Sequence, residues 1–117
     1  MNGTGIKRIC RALSCSTKGL QSALRYEKAF YQELFFVAIM SPIGLWIGDN
    51  GVERGILTGC LFLILIAELL NSAIETAVDR IGTEYHELSG RAKDLGSAAV
   101  FLAFLNGMCI WLLVLFG

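Results

Sequence analysis

The sequence predicts an all-α membrane protein, with three transmembrane helices behind an N-terminal amphipathic helix that lies at the membrane surface. Three observations carry that expectation. Hydrophobic residues make up 55% of the 117, and mean hydropathy is +0.60, too apolar for a soluble domain of this size. The apolar residues gather into three stretches, each near the ~20 residues that cross a hydrocarbon core. The charged residues cluster before and between those stretches instead of spreading evenly.

The arm, residues 1–28, holds six of the ten Lys and Arg (Lys7, Arg8, Arg11, Lys18, Arg25, Lys28), so a formal net charge of zero hides a basic N-terminal segment. Ile6, Ile9, Cys10, Leu13, Leu20, Ala23 and Leu24 recur there at helical spacing with the cations between them. This fits a helix in the headgroup region, and a helix packed on a partner protein would read the same way. No signal peptide is expected, because residues 1–28 lack a continuous apolar core and a small-residue cleavage site.

The whole chain reads as one domain. Its first span is expected at about 30–47, ending in the turn signal Gly48-Asp49-Asn50-Gly51, with Pro42 able to kink it. The second is expected at about 54–78 and the third at about 97–116, with 79–96 as a loop between them. The arm and that loop (Arg80, Arg91, Lys93) hold nine of the ten cations, which places both in the cytoplasm and the carboxyl terminus outside. Trp46 and Trp111, near span ends, suit an aromatic belt, and Gly55-x-x-x-Gly59 suits a close helix contact. Cys10, Cys15, Cys60 and Cys109 form no C-x-x-C and read as small apolar filler. Gly3-Thr-Gly5 lacks a following G-K-S/T, so a P-loop is unsupported.

Inside the second span an acid and amide stripe begins: Glu68, Asn71, Glu75 and Asp79, spaced i, i+3, i+7, i+11, share one helix face. An ionisable residue at that depth costs at least ~2.5 kcal/mol on insertion scales and points to function. A polar seam that only joins helices is the competing reading. The stripe runs into a loop in which four acids, three bases and the only His, His86, fall within residues 79–97.

That combination suits phosphoryl transfer. Mg²⁺ typically takes one or two carboxylates plus substrate phosphates, cations neutralise developing charge, and a base takes the proton of the attacking hydroxyl. Glu75 with an acid of the arm such as Glu27 can supply the metal ligands, and the deeper Glu68 can reach a hydroxyl at headgroup level.

The run Glu68-Leu-Leu-Asn71-Ser-Ala-Ile-Glu75, then Asp79-Arg-Ile-Gly and Glu84-Tyr-His-Glu-Leu-Ser-Gly-Arg-Ala-Lys93-Asp94-Leu-Gly-Ser97, closely resembles the bacterial integral-membrane diacylglycerol kinase family. The resemblance extends through Glu27-x-Ala-Phe30-x-Gln32-Glu33 and covers nearly the whole chain. It implies an ATP- and Mg²⁺-dependent lipid kinase of the bacterial inner membrane that turns diacylglycerol into phosphatidic acid, assembled as a homotrimer with sites shared between subunits. By the same resemblance Glu68 is the catalytic base with Asn71 beside it, and Glu27 and Glu75 are the metal ligands. Arg8, Cys15, Lys18, Glu27, Glu75, Glu84, Tyr85, His86, Lys93 and Asp94 are implied around the nucleotide. Arg8, Ser16, Glu33, Arg54, Glu68 and Ser97 are implied along the lipid site. The arm carries Cys15 and Thr17 where close relatives carry aromatic residues.

Other readings of the same residues stand beside these. Asp79 and Arg80 can form a helix-end ion pair, His86 can be a solvated loop residue, Asn71 can bond a neighbouring helix, and Glu33 can snorkel to the headgroups. Undecaprenol, an acceptor used within the same family, is the rival substrate. A small noncatalytic membrane subunit or ion-coupling element is the rival from another class. No nucleic-acid partner is expected.

Overall fold

A computed structural model describes residues 2–82 and 84–117, with side chains from Gly5 onward at the amino terminus. Four helices follow one another: α1 (Asn2–Tyr26), α2 (Lys28–Ile47), α3 (Gly51–Ile81) and α4 (Glu87–Phe116). The last three are each long and apolar enough to cross a membrane. The segment expected as a loop over 79–96 is helical at both ends, with α3 running to Ile81 and α4 starting at Glu87, because most of its charged residues are good helix formers bounded by Gly82 and the cap residue His86. Pro42 lies inside an unbroken α2.

Local chemistry sets each junction. Between α1 and α2 only Glu27 leaves the helical conformation, taking an extended backbone (φ −111°, ψ 96°) that redirects the chain. At the other end of α2, the Asn50 side chain accepts from Glu53 N at 2.9 Å while the Glu53 carboxylate accepts from Asp49 N at 2.9 Å, a reciprocal cap that starts α3. Arg54 folds back to donate from Nε to the Gly48 carbonyl at 3.1 Å. A Cβ on Gly48 would stand 2.7 Å from Arg54 Cγ and 3.0 Å from Arg54 N, so the turn needs glycine for its close approach. Short connections after α2 and α3 make α2, α3 and α4 antiparallel neighbours.

α3 is the central element. Half of its most apolar window is buried inside the chain, against 17% for α2 and 11% for α4, so α3 is packed from several sides while the others wrap it. Its buried residues include Leu57, Cys60, Leu61, Ile64, Leu65, Ala67 and Glu68. α2 presents Phe30, Val37 and Gly44, seven apart, and α4 presents Gly96, Ala103 and Gly107. Small residues on α4 let two backbones approach closely, which is how membrane helices gain packing energy without a hydrophobic driving force.

The glycines that make contacts are not the expected pair. Gly55 and Gly59 face open space within the chain, whereas a Cβ on Gly44 would sit 3.2 Å from Leu57 Cβ and 3.4 Å from the Trp111 ring. Trp111 also joins two helices. Its indole N–H donates to the Leu57 carbonyl at 3.2 Å, joining α4 to α3 beside Gly44 of α2. Trp46, at 84% exposure, remains free for a belt role. Of the cysteines only Cys60 is buried filler, its Sγ donating to the same Leu57 carbonyl, while Cys10, Cys15 and Cys109 are exposed thiols.

Gly44→Val is expected to overpack this three-helix contact and cost about 1–3 kcal/mol. Trp111→Phe, which loses the indole hydrogen bond and the part of the ring that meets Gly44, should cost at least the hydrogen bond, about 0.5–1.5 kcal/mol, plus a cavity term. Thermal unfolding of both variants in detergent checks this, and a Gly44→Val midpoint equal to wild type would contradict the contact.

Candidate functional site

Along α3 the polar stripe changes from buried to exposed. Glu68 is 7% exposed, Asn71 and Glu75 are half-buried, and Asp79 is exposed. One face of a single helix thus carries groups from the apolar interior out to solvent, and a ligand with a hydrophobic part and a charged part could lie along it.

At the deep end Glu68 meets Glu33 of α2, the two carboxyl groups within hydrogen-bonding reach of each other. Glu33 Oε1 is buried without a donor. Glu33 therefore turns inward to Glu68 and does not snorkel. A hydroxyl brought between the two could donate to the Glu33 oxygen that the chain itself leaves open.

An open cleft of about 840 Å³ lies between α1 and the exposed third of α3, lined in part by Ser16, Glu27, Ser72, Thr76 and Arg80. Glu27 reaches it because its extended backbone marks the corner between α1 and α2, and its side chain caps neither helix. Ser72 Oγ is buried there without a partner. Ser72, Thr76 and Arg80 repeat every four residues beside the acidic stripe, a signal present in the sequence but hidden by the stronger run of acids. Glu75, one position before Thr76, turns about 100° away from it around the helix axis. Among the described residues no group of three or more His, Cys, Asp or Glu could hold a metal ion. Glu27 lines the cleft and Glu75 does not; as a donor set, two hard carboxylates match what Mg²⁺ takes only when completed by phosphate oxygens.

A second hollow of about 480 Å³ sits at the α3–α4 turn, lined by Glu84, Tyr85 and His86 among others. His86 is the N-cap of α4. Its Nδ1 accepts from Leu88 N at 3.1 Å, which leaves Nε2 as the free nitrogen. Lys93 Nζ donates to Asp79 Oδ1 at 2.9 Å and ties the ends of α3 and α4 together, so Asp79 pairs across the turn and not with its neighbour Arg80. Both partners are about half exposed, and such a pair can exchange for a ligand phosphate cheaply.

The other expected residues are distributed unevenly. Arg8, Cys15 and Lys18 are exposed on α1, and of the arm residues expected at the site Ser16 and Glu27 line the cleft. Asp94 and Ser97 are exposed on the first turns of α4. Arg54 is not brought to this region. It is fourteen positions from Glu68 along one continuous helix, roughly 21 Å at ~1.5 Å per residue, and is held by the α2–α3 turn.

Four helices with three membrane-capable spans, one of them carrying a buried acid and, further along, one wall of an open cleft, define a membrane protein built to act on an amphiphile. Residues 14–115 match the family described as prokaryotic diacylglycerol kinase. The chain is 47% identical over 116 residues to diacylglycerol kinase of Escherichia coli K12, covering 99% of this chain and 95% of that protein. It is 44% identical to diacylglycerol kinase of Haemophilus influenzae, covering 97% and 96% of the two chains, and 37% identical to that of Helicobacter pylori, covering 92% and 84%. The chain belongs to the prokaryotic diacylglycerol kinase family, and it is an enzyme, a lipid kinase.

Proposed function

We propose that the protein transfers the γ-phosphoryl group of ATP to the free hydroxyl of diacylglycerol, giving phosphatidic acid. The observation that supports this most is the row from buried Glu68 to exposed Asp79, which matches an apolar acceptor at one end and a charged donor at the other. In this reading the acceptor hydroxyl enters between Glu33 and Glu68. The Glu68 carboxylate takes its proton as the oxygen attacks phosphorus, and Asn71 orients the reacting groups. Glu84, Tyr85, His86, Lys93 and Asp94 hold the nucleotide from the α3–α4 side, with Arg8, Cys15 and Lys18 from the arm. Arg8, Ser16, Glu33 and Ser97 line the lipid path. Mg²⁺ held by Glu27 and Glu75 with ATP oxygens would neutralise charge on the phosphates.

The arm is proposed to lie in the headgroup layer, since Ile6, Ile9 and Leu13 are all exposed on α1. The amino terminus and the α3–α4 turn are assigned to the cytoplasmic side of the bacterial inner membrane, where ATP is, and the carboxyl terminus to the outside. We further propose a homotrimer, because one chain leaves the α1–α3 cleft open and Arg8, Cys15 and Lys18 away from it.

Purified protein in mixed micelles with ATP and Mg²⁺ is expected to phosphorylate diacylglycerol in preference to undecaprenol, and the reverse preference would replace the acceptor. Glu68→Gln should lose about 10²–10⁴-fold in turnover with ATP binding retained, as expected for a missing base. Near-normal turnover would remove Glu68 from that role.

Shortening either proposed metal ligand, Glu27→Asp or Glu75→Asp, should raise the Mg²⁺ concentration needed for half-maximal rate without changing lipid affinity. A variant with wild-type Mg²⁺ dependence and rate is not missing a ligand.

Native mass spectrometry in detergent should give a trimer. A monomer that is fully active would rule out shared sites.

A further inference from the structure

Asn71 Oδ1 is buried and has no hydrogen-bond donor, an unusual state for an amide between two helices. What it touches is the backbone of Gly96 on α4. A Cβ built on Gly96 would collide with Asn71 Oδ1 and come within 3.4 Å of both Asn71 Cγ and Ile74 Cδ1. The amide oxygen therefore lies where a side chain of residue 96 would begin, over the glycine Cα–H. Close Cα–H···O contacts of this kind recur where membrane helices approach through small residues. With the oxygen seated against α4, covalent geometry puts the amide NH₂ on the far side of the carboxamide. It is a pure donor there, on the helix face that carries Glu68 three positions before and Glu75 four positions after.

We propose that Gly96 is a positioning residue for phosphoryl transfer: its bare Cα holds the Asn71 carboxamide in one orientation, which aims the amide donors along the Glu68–Glu75 face. This rests on the reading of Asn71 as part of the catalytic machinery. The alternative orientations are poor, because the groove beside Asn71 and Gly96 is walled by Ala67, Leu70, Ala99 and Ala103. A displaced amide would enter it with nothing to bond. Gly107 supplies the contrast on the same interface. A Cβ there would meet Ile64 Cδ1 at 3.6 Å and Cys60 Sγ at 4.0 Å, ordinary contact with apolar side chains.

The test is a double-mutant cycle in the full-length protein, reading turnover, both KM values and the thermal midpoint. Gly96→Ala should lower kcat by about 10–100-fold, the scale of a misplaced catalytic group, with KM for ATP-Mg²⁺ and diacylglycerol unchanged. Gly107→Ala should keep wild-type kcat. Gly96→Ala combined with Asn71→Ala should turn over no more slowly than Asn71→Ala alone and should unfold at a higher temperature than Gly96→Ala, because the colliding amide is gone. If Gly96→Ala does not fold, recovery of a folded protein in the double variant still supports the contact, and failure of both to fold overturns it. Wild-type kcat in Gly96→Ala, or multiplicative losses in the double variant, would also overturn the proposal. The reading of Asn71 fails separately, if Asn71→Ala alone is fully active.

Discussion

A carboxyl group withdrawn from water costs several kcal/mol unless something nearby compensates, and α3 withdraws one at Glu68, 7% exposed among Leu65, Ala67 and the packed faces of its neighbours. The helices around it do not remove that cost. α2 brings a second carboxyl, Glu33, to face the first, which adds like-charge repulsion when both are ionised, and α4 packs its backbone at Gly96 against the neighbouring Asn71 amide. Among the described residues four buried side-chain oxygens, on Glu33, Ser41, Asn71 and Ser72, have no partner, and three of them lie on or beside the acidic row. Unmet acceptors concentrated in one place mark where a ligand is wanted.

The faces of α3 divide the remaining work. Toward α2 it offers apolar packing onto Phe30, Val37 and Gly44, and toward α4 onto Gly96, Ala103 and Gly107. Leu57 is the firmest point: fully buried, its carbonyl accepting from both Trp111 and Cys60. That contact lies at the opposite end of α3 from the α1–α3 cleft and the acidic row, so the helix is anchored far from the chemistry and polar near it. Such a separation lets the site end carry unsatisfied groups without unravelling the bundle.

Much apolar surface is left uncovered. Phe35, Phe62, Ile66, Leu70, Phe101 and Leu113 are all more than half exposed, which would be untenable in water and is natural against lipid or another subunit. The basic α1 is attached to this body through one non-helical residue, Glu27, and that residue is also the acid the helix contributes to the cleft. Chain direction and site chemistry thus depend on the same position.

The sequence by itself determined the element count, the three spans, the amphipathic pattern of the arm and the spacing of Glu68, Asn71, Glu75 and Asp79, because periodicity and apolar length act locally and need no partner. It was also enough to recognise the family, since that run of residues is long and specific. Helix ends were less legible: Arg91 and Lys93 read as loop by charge, yet charged residues with good helix propensity continue a helix into water until a cap stops it. Pairing was illegible. That Asp79 bonds Lys93 and not Arg80, that Glu33 turns inward, that Trp111 bonds Leu57 across 54 positions, and that Gly44 and Gly96 are the crowded glycines while Gly55 and Gly59 are not, all depend on which faces of separate helices come together. Only the tertiary structure decided those, because a contact between distant residues is set by interhelical distance and rotation, which no local pattern encodes.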